Sequence, residues 1–390
     1  MKLSSGADGG RRGILGLACL VILILAGAAA FFLHQPAERA AWRPGLPLAK
    51  ERVKIGIIYL TDVTGETSGY TYAHDQGLRE TQKAVGLRDD QIIRKIEVSD
   101  TDSDATTHAM RECIAEGANI IIATAQGYAE ACEKLAEEYP NVVFAQLYAN
   151  SRNGANLTNY FGRIYQARYL SGLIAGLRTK TNKIGYVAAM GKDNSQVTSG
   201  LSAFALGVER VNRTAGIYAK ITHRWVYPAG EFEAANSLIE AGCDVIAQHC
   251  DTPSPQLAAE KAGAWGIGYN SDMRRDADTV IVSVVWNWNV YYSRLVRGVI
   301  DGTFTTEPYF GDLNEGLADL SPFNERLMPA GAAEIVAAER KRIESGEFGV
   351  FDGLMETNDG RAVGREGQRL SDAEILGGLD WYYRNVTEIQ

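Results

Sequence analysis

The chain has 390 residues and a formal net charge of −9. That balance, with no clustered Lys/Arg in the body, argues against a nucleic-acid surface, which carries a basic patch or a high pI. Setting aside the leader leaves roughly 350 residues, enough for two lobes of ordinary domain size rather than one.

Arg11 and Arg12 precede an uncharged apolar run over residues 13–33. A basic start, an apolar segment and the small residues Ala28, Ala29 and Ala30 fit a signal peptide cut after about Ala30. Residues 14–33 are also long enough to span a bilayer at ~1.5 Å per residue, so an uncleaved membrane anchor is the alternative. Either way the body is expected to be exported, to a periplasmic or other extracytoplasmic site. Residues 37–52 read as a tether.

From residue 53 the pattern alternates. "VKIGIIYL" is strand-like, "HDQGLRETQKAVG" helical, and "QIIRKIEV" a second strand. "DATTHAMRECIAEG" is a helix with an Asp N-cap candidate and Gly117 beyond its end. "NIIIATA", "YAEACEKLAEEYP" and "NVVFAQL" continue as strand, helix and strand. The apolar runs lack alternation, as do strands buried on both faces of a parallel sheet. After the helix "YQARYLSGLIAGLRT" the pattern restarts: "KIGYVAAM" echoes "KIGIIYL" and opens a second series of strands and helices. Two doubly wound α/β lobes in series leave a cleft at the carboxyl ends of their strands, where open α/β sheets bind ligands.

The unusual residues fall at those ends. "GYTYAHDQG" places Tyr70, Thr71 and Tyr72 after the first strand, and "AQGY" places Tyr128 after the third. "RWVYPAG" carries Trp225, "HCDTPSP" His249 and Asp251, and "YNSDM" Asn270 and Asp272. "VWNWNVYY" carries Trp286 and Asn287. Any single ring or histidine here is more often packing than ligand contact. Aromatic walls with a few polar groups describe a small-molecule pocket, and stacked rings suit a flat ligand. An Asn amide, with donor and acceptor, is a natural partner for a purine edge.

Other chemistry is thinly supported. Asp100, Asp102 and Asp104 copy the start of a calcium loop, but Ala105 stands where Gly is required and Arg111 where Glu is. They are expected to form a polar turn and a helix cap. Cys243 and Cys250 flank a predicted strand and lie ~23 Å apart along it; a disulfide needs about 7 Å or less. With Cys113 and Cys132 they are expected to be free thiols. No metal-ligand set, dinucleotide fingerprint, Walker loop or nucleophile elbow is present, so neither cofactor nor metal is expected. His74–Asp75 and His249 with Asp251 are the residues an enzyme acting on purines would use.

Taken together, "GYTYAHDQG", "TAQGY", "YQARYLSGLIAG", "KIGYVAAM", "QHCDTPSP", "GYNSDM", "WNWNVYY" and the tail "SDAEILGGLDWYYRNV" resemble the basic membrane protein (BMP) family of ABC-importer substrate-binding proteins, and within it the purine-binding branch. The resemblance runs from about Val53 to the C-terminus. It implies a type I periplasmic-binding fold with three crossovers between lobes. The implied divisions are a first lobe over 53–161, a second over 162–282, a returning segment over 283–320 and a completing segment over 321–390. Nucleoside-binding members carry "GVDSDQ" where this chain has "GYNSDM", so Asn270 replaces a ribose-binding Asp. They also carry a Lys where Trp286 stands. The resemblance therefore implies a free base such as adenine, stacked between Tyr70 and Trp225, with Tyr128 and Trp286 as further walls. His249, Asp251, Asn270 and Asp272 would supply polar contacts, with Thr71 and Asn287 beside them. The implied partners are an ABC permease and a separate ATPase, with the membrane itself if residues 14–33 are retained. In that case a ligand-sensing domain is the alternative role.

Overall fold

The computed structural model describes residues 45–148 and 151–389, and the apolar segment at 14–33 lies outside them. No helix among the described residues is long and apolar enough to cross a membrane.

The first lobe is built on β1 (Ile55–Ile58), α1 (Tyr70–Val85), β2 (Ile92–Lys95), α2 (Ser103–Ala115), β3 (Ile120–Ala123), α3 (Ala129–Glu138), β4 (Val143–Leu147) and β5 (Leu157–Gly162). The chain crosses to the second lobe through α4 (Ile164–Arg178). There it forms β6 (Lys183–Ala188), α5 (Ser195–Val211), β7 (Gly216–Ile221), α6 (Pro228–Glu240), β8 (Val245–His249), α7 (Ser254–Ala262), β9 (Trp265–Asn270) and β10 (Val280–Trp286). It returns through α8 (Asn289–Asp301), which packs on α1, and β11 (Tyr309–Gly311), which pairs with β5. A last crossing brings β12 (Ala318–Leu320) antiparallel to β10.

The two sheets run β11-β5-β4-β3-β1-β2 and β12-β10-β9-β8-β6-β7-β15. The edge strand β15 (Val386–Ile389) is parallel to β7 and follows α9 (Ala332–Glu344), the hairpin β13 (Asp352–Glu356) with β14 (Ala362–Arg369), and α10 (Asp372–Gly378). The return to the first lobe begins after Trp286 rather than at 283, because residues 280–286 are one continuous buried strand.

The core follows from the sequence pattern. Every residue of β1, β3, β4, β8 and β10 is buried, as strands covered by helices on both faces must be. In both sheets the strand order reverses beside the first strand of the lobe, between β1 and β3 and between β6 and β8. The loops leaving β1, β3, β6 and β8 at their carboxyl ends therefore splay apart and open a crevice.

Helices α4 and α5 approach closely because two glycines let them. A Cβ on Gly172 would run into the Phe204 carbonyl, and one on Gly207 into the Tyr169 carbonyl. Both obstacles are backbone and cannot rotate away. Gly207→Ala is expected to cost about 1–3 kcal/mol of overpacking, read as a lower urea midpoint; an unchanged midpoint would contradict this packing.

Asp102 caps α2, its carboxylate accepting from the Ala105 N–H at 2.9 Å, so the calcium-like segment is a helix cap. Cys113, Cys132, Cys243 and Cys250 are free and buried.

Candidate ligand-binding site

The first lobe's contribution starts where β1 ends. Residues 60–69 form an irregular loop, and α1 begins at Tyr70. Gly69 makes that turn possible: its φ of 103° lies where side chains are disfavoured. Its N–H donates to Ser271 Oγ of the second lobe at 3.1 Å. Thr67 donates to Asp276 at 2.6 Å, and Arg275 to the Tyr72 hydroxyl at 3.3 Å. The lobes are thus closed on one another. The tightest point is Gly69 itself, where a Cβ would stand 2.6 Å from the Asp251 carbonyl oxygen.

Two cavities lie along this seam. One, about 310 Å³, is lined by Thr61, Ser68, Tyr70 and Thr71 from the first lobe and by Val226, Asp251 and Thr252 from the second. The other, about 340 Å³, is lined by Asn270, Asp272, Trp286 and Asn287 with part of α1. Both lie at the lower end of the ~300–1,000 Å³ typical of small-molecule pockets. Asp251 borders the first and Asn270 the second, and the Asn270 amide donates to the Asp251 carboxyl at 2.9 Å.

This pair is the electrostatic centre of the seam. Asn270 ends β9 with φ at 68°, a left-handed turn that Asn tolerates better than most residues. Its Oδ1 is buried without a hydrogen-bond partner. Asp251 follows β8, and its N–H donates to the Trp225 carbonyl at 2.8 Å. Burial pushes the Asp251 carboxyl up to about 8, against the Asn270 hydrogen bond, with the Glu231 carboxylate adding to the rise.

The remaining predicted residues divide. Tyr70 lines the first cavity, its hydroxyl tied to the Thr124 carbonyl and its ring edge-on to His74. Thr71 lines it too and accepts from the Thr61 hydroxyl at 2.8 Å. Trp225 is half-buried, with its ring edge toward His249 at 6.0 Å, while the next residue, Val226, faces the cavity. His249 is fully buried at the end of β8, 3.4 Å from the Tyr186 hydroxyl. Burial, and then the charge of Arg168, hold its ring well below the usual histidine range. Trp286 donates to the Tyr269 hydroxyl at 3.2 Å and stacks on Trp288 with centroids 4.7 Å apart. Asn287 donates to the Gly316 carbonyl at 2.8 Å, bracing the crossover. Asp272 pairs with Arg274 at 2.6 Å and caps a short turn, which occupies much of its carboxylate.

Tyr128, like Trp225 and His249, is absent from the lining of both cavities. It is wholly buried in a cluster inside the first lobe, its hydroxyl on the Val98 carbonyl at 2.5 Å. It follows β3 through the short turn at Gln126–Tyr128 and leads into α3. Tyr128→Phe is expected to cost about 1 kcal/mol of stability and to leave ligand affinity unchanged, which paired melting and binding measurements check.

His74 and Asp75 are also committed. His74 meets the Tyr292 hydroxyl at 2.6 Å and stacks on Trp288; Asp75 is held by Arg79 and Arg94. Sequence reasoning passed over Thr61, Ser68 and Thr252 in the first cavity. Thr61 and Ser68 lie in the polar run "TDVTGETS" at a strand end, eclipsed by the rings that follow, and Thr252 lies within "HCDTPSP" beside Asp251.

A closing two-lobed α/β protein with an enclosed polar–aromatic seam is the architecture of a periplasmic binding protein. The sequence profile of the Bmp family, described as ABC transporter substrate-binding protein PnrA-like, matches residues 54–330, and the chain belongs to this family. It is 29% identical over 345 residues to a purine-binding protein of Brucella abortus, covering 88% of this chain and 95% of the relative. It is 30% identical over 310 residues to a candidate ABC transporter glucose-binding protein of Haloferax volcanii, covering 79% and 76%. An ABC transporter solute-binding protein from Conexibacter woesei shares the fold with a TM-score of 0.65 at 20% identity, covering 76% of this chain and 98% of that one. The protein is therefore an ABC transporter substrate-binding protein, of an extracytoplasmic family that delivers small molecules to a permease driven by an ATPase.

Proposed function

We propose that the protein captures a purine-type ligand, a free base such as adenine, by closing its two lobes over it. The observation that carries this reading is the buried Asp251–Asn270 pair. A carboxyl that titrates near 8 is largely protonated at neutral pH, so it can donate as well as accept. With the Asn270 amide beside it, it complements a heteroaromatic edge where an acceptor nitrogen adjoins an N–H. Tyr70 supplies an aromatic wall, and the purine-binding relative supports the ligand class. Lobe closure follows the hinge motion of such proteins. Trp286 lines the second cavity where the resemblance places a sugar-side Lys, and that exchange favours bases over nucleosides.

The test is a thermal-shift panel on protein unfolded and refolded to strip bound ligand. A ligand at about 100 times its Kd stabilises by ~2.7 kcal/mol. Adenine, hypoxanthine and guanine are expected to raise the melting temperature, and adenosine and glucose are not. A larger shift with adenosine would overturn the free-base reading; a shift with glucose alone would overturn the purine class. Export by the N-terminal segment belongs to the same reading. N-terminal sequencing of native protein separates release near Phe31 from an anchored, sensor-like form that keeps Met1.

A further inference from the structure

Arg168 is the most demanding buried group in the second lobe. It is the fifth residue of α4, the helix that carries the chain into the second lobe, and is fully buried. One of its N–H groups donates to the Gln248 carbonyl at 2.6 Å. Its Nε and Nη2 atoms have no hydrogen-bond partner, and it pairs with no carboxylate among the described residues. Buried cations are ordinarily paired, because desolvation is costly.

Its surroundings place it beneath the carboxyl ends of β8 and β9, behind the residues that line the two cavities. The guanidinium lies 4.0 Å over the Tyr269 ring and 5.8 Å from that of Tyr186. The His249 ring is 4.6 Å from Tyr269, and its Nε2 is likewise buried and unpartnered. Tyr269 and His249 sit at the carboxyl ends of β9 and β8, one residue before Asn270 and two before Asp251. Space for this cluster depends on Gly200, whose Cβ would stand 2.8 Å from the His249 ring and 3.7 Å from Arg168 Cγ. Ring faces explain part of why a cation is tolerated here; they leave the in-plane N–H groups unused.

We propose that Arg168 is a ligand-binding residue, whose unpaired N–H groups beside His249 receive an acceptor atom, a ring nitrogen or keto oxygen, on the inner edge of the bound base. This rests on the purine reading of the cleft and adds to it a requirement: the ligand must present an acceptor to a buried cation. A guanidinium fork suits the acceptor edges of purines in particular.

The experiment compares wild type, Arg168→Met and Arg168→Lys by calorimetric titration with adenine, hypoxanthine and the 1-, 3- and 7-deaza forms of adenine. Each deaza form lacks one acceptor nitrogen. Arg168→Met is expected to bind adenine about tenfold or more weakly, as loss of a hydrogen bond to a charged group implies, and to melt no lower than wild type without ligand. Arg168→Lys should recover part of the affinity. One deaza analogue should bind wild type poorly, and that penalty should vanish in Arg168→Met. Wild-type affinity in Arg168→Met together with a lowered melting temperature would overturn the assignment and make the arginine a packing residue. If Arg168→Met does not fold, equal binding of all three deaza analogues to wild type would overturn it equally. Failure of wild type to bind any base would instead sink the purine reading, and this assignment with it.

Discussion

Gly69→Ala is expected to hold the lobes apart and to weaken ligand capture by about tenfold or more. Two independent constraints meet at this residue. Its φ of 103° is costly for any residue with a Cβ. The Cβ itself would stand 2.6 Å from the Asp251 carbonyl, an obstacle made of backbone from the opposite lobe. Relief requires the lobes to separate, which also stretches the bonds from Gly69 to Ser271 and from Thr67 to Asp276. Open and closed forms of such proteins differ by only a few kcal/mol, so one clash shifts the balance. Small-angle scattering with saturating ligand should show a larger radius of gyration for the variant, while its unfolding free energy falls by no more than the ~1–3 kcal/mol of backbone strain. A variant that closes and binds like wild type would show that Gly69 does not limit the approach.

Asp251→Asn carries the other large effect, and it has two separable readouts. The first is pH. Folded Asp251 holds its proton up to about pH 8, whereas the unfolded carboxyl titrates near ~3.9. A raised folded value means that the site's stabilising contribution is complete below about pH 4 and is lost as the pH rises toward 8. Asn cannot ionise, so the variant should lose less stability than wild type between pH 4 and 8. Glu231, also raised by burial, retains a slope of its own in both proteins. The second readout is affinity. Asn keeps an oxygen for the Asn270 amide but exchanges the acidic O–H for an amide donor fixed in place. Base affinity should fall by about tenfold, as for loss of one buried hydrogen bond with an unpaired group left behind. Identical pH–stability curves for the two proteins would mean that the carboxyl is already ionised in the fold.

The lobes were legible in the sequence because "VKIGIIYL", "NIIIATA" and "KIGYVAAM" are strands buried on both faces, and their apolar runs leave few alternatives. Strand ends were legible for the same reason, so Tyr70, Asp251 and Asn270 fall on the closing seam. Tyr128 shows where that logic stops. It too follows a strand, but its side chain is buried in a cluster within the first lobe, and no periodicity encodes that placement. Arg168 was readable in principle: a cation near the middle of a helix in which 12 of the 15 residues are buried stands out against its neighbours. The bond from Gly69 to Ser271 depends on closure of two distant segments, which no local pattern carries.

A purine base held at the Asp251–Asn270 pair would show itself in one binding experiment. The most direct measurement is calorimetric titration of adenine into refolded, ligand-free protein at neutral pH, with Asp251→Asn and Tyr128→Phe in parallel. One adenine per chain is expected, with affinity cut about tenfold in Asp251→Asn and unchanged in Tyr128→Phe. No heat with adenine, beside saturable binding of glucose or adenosine, would contradict it.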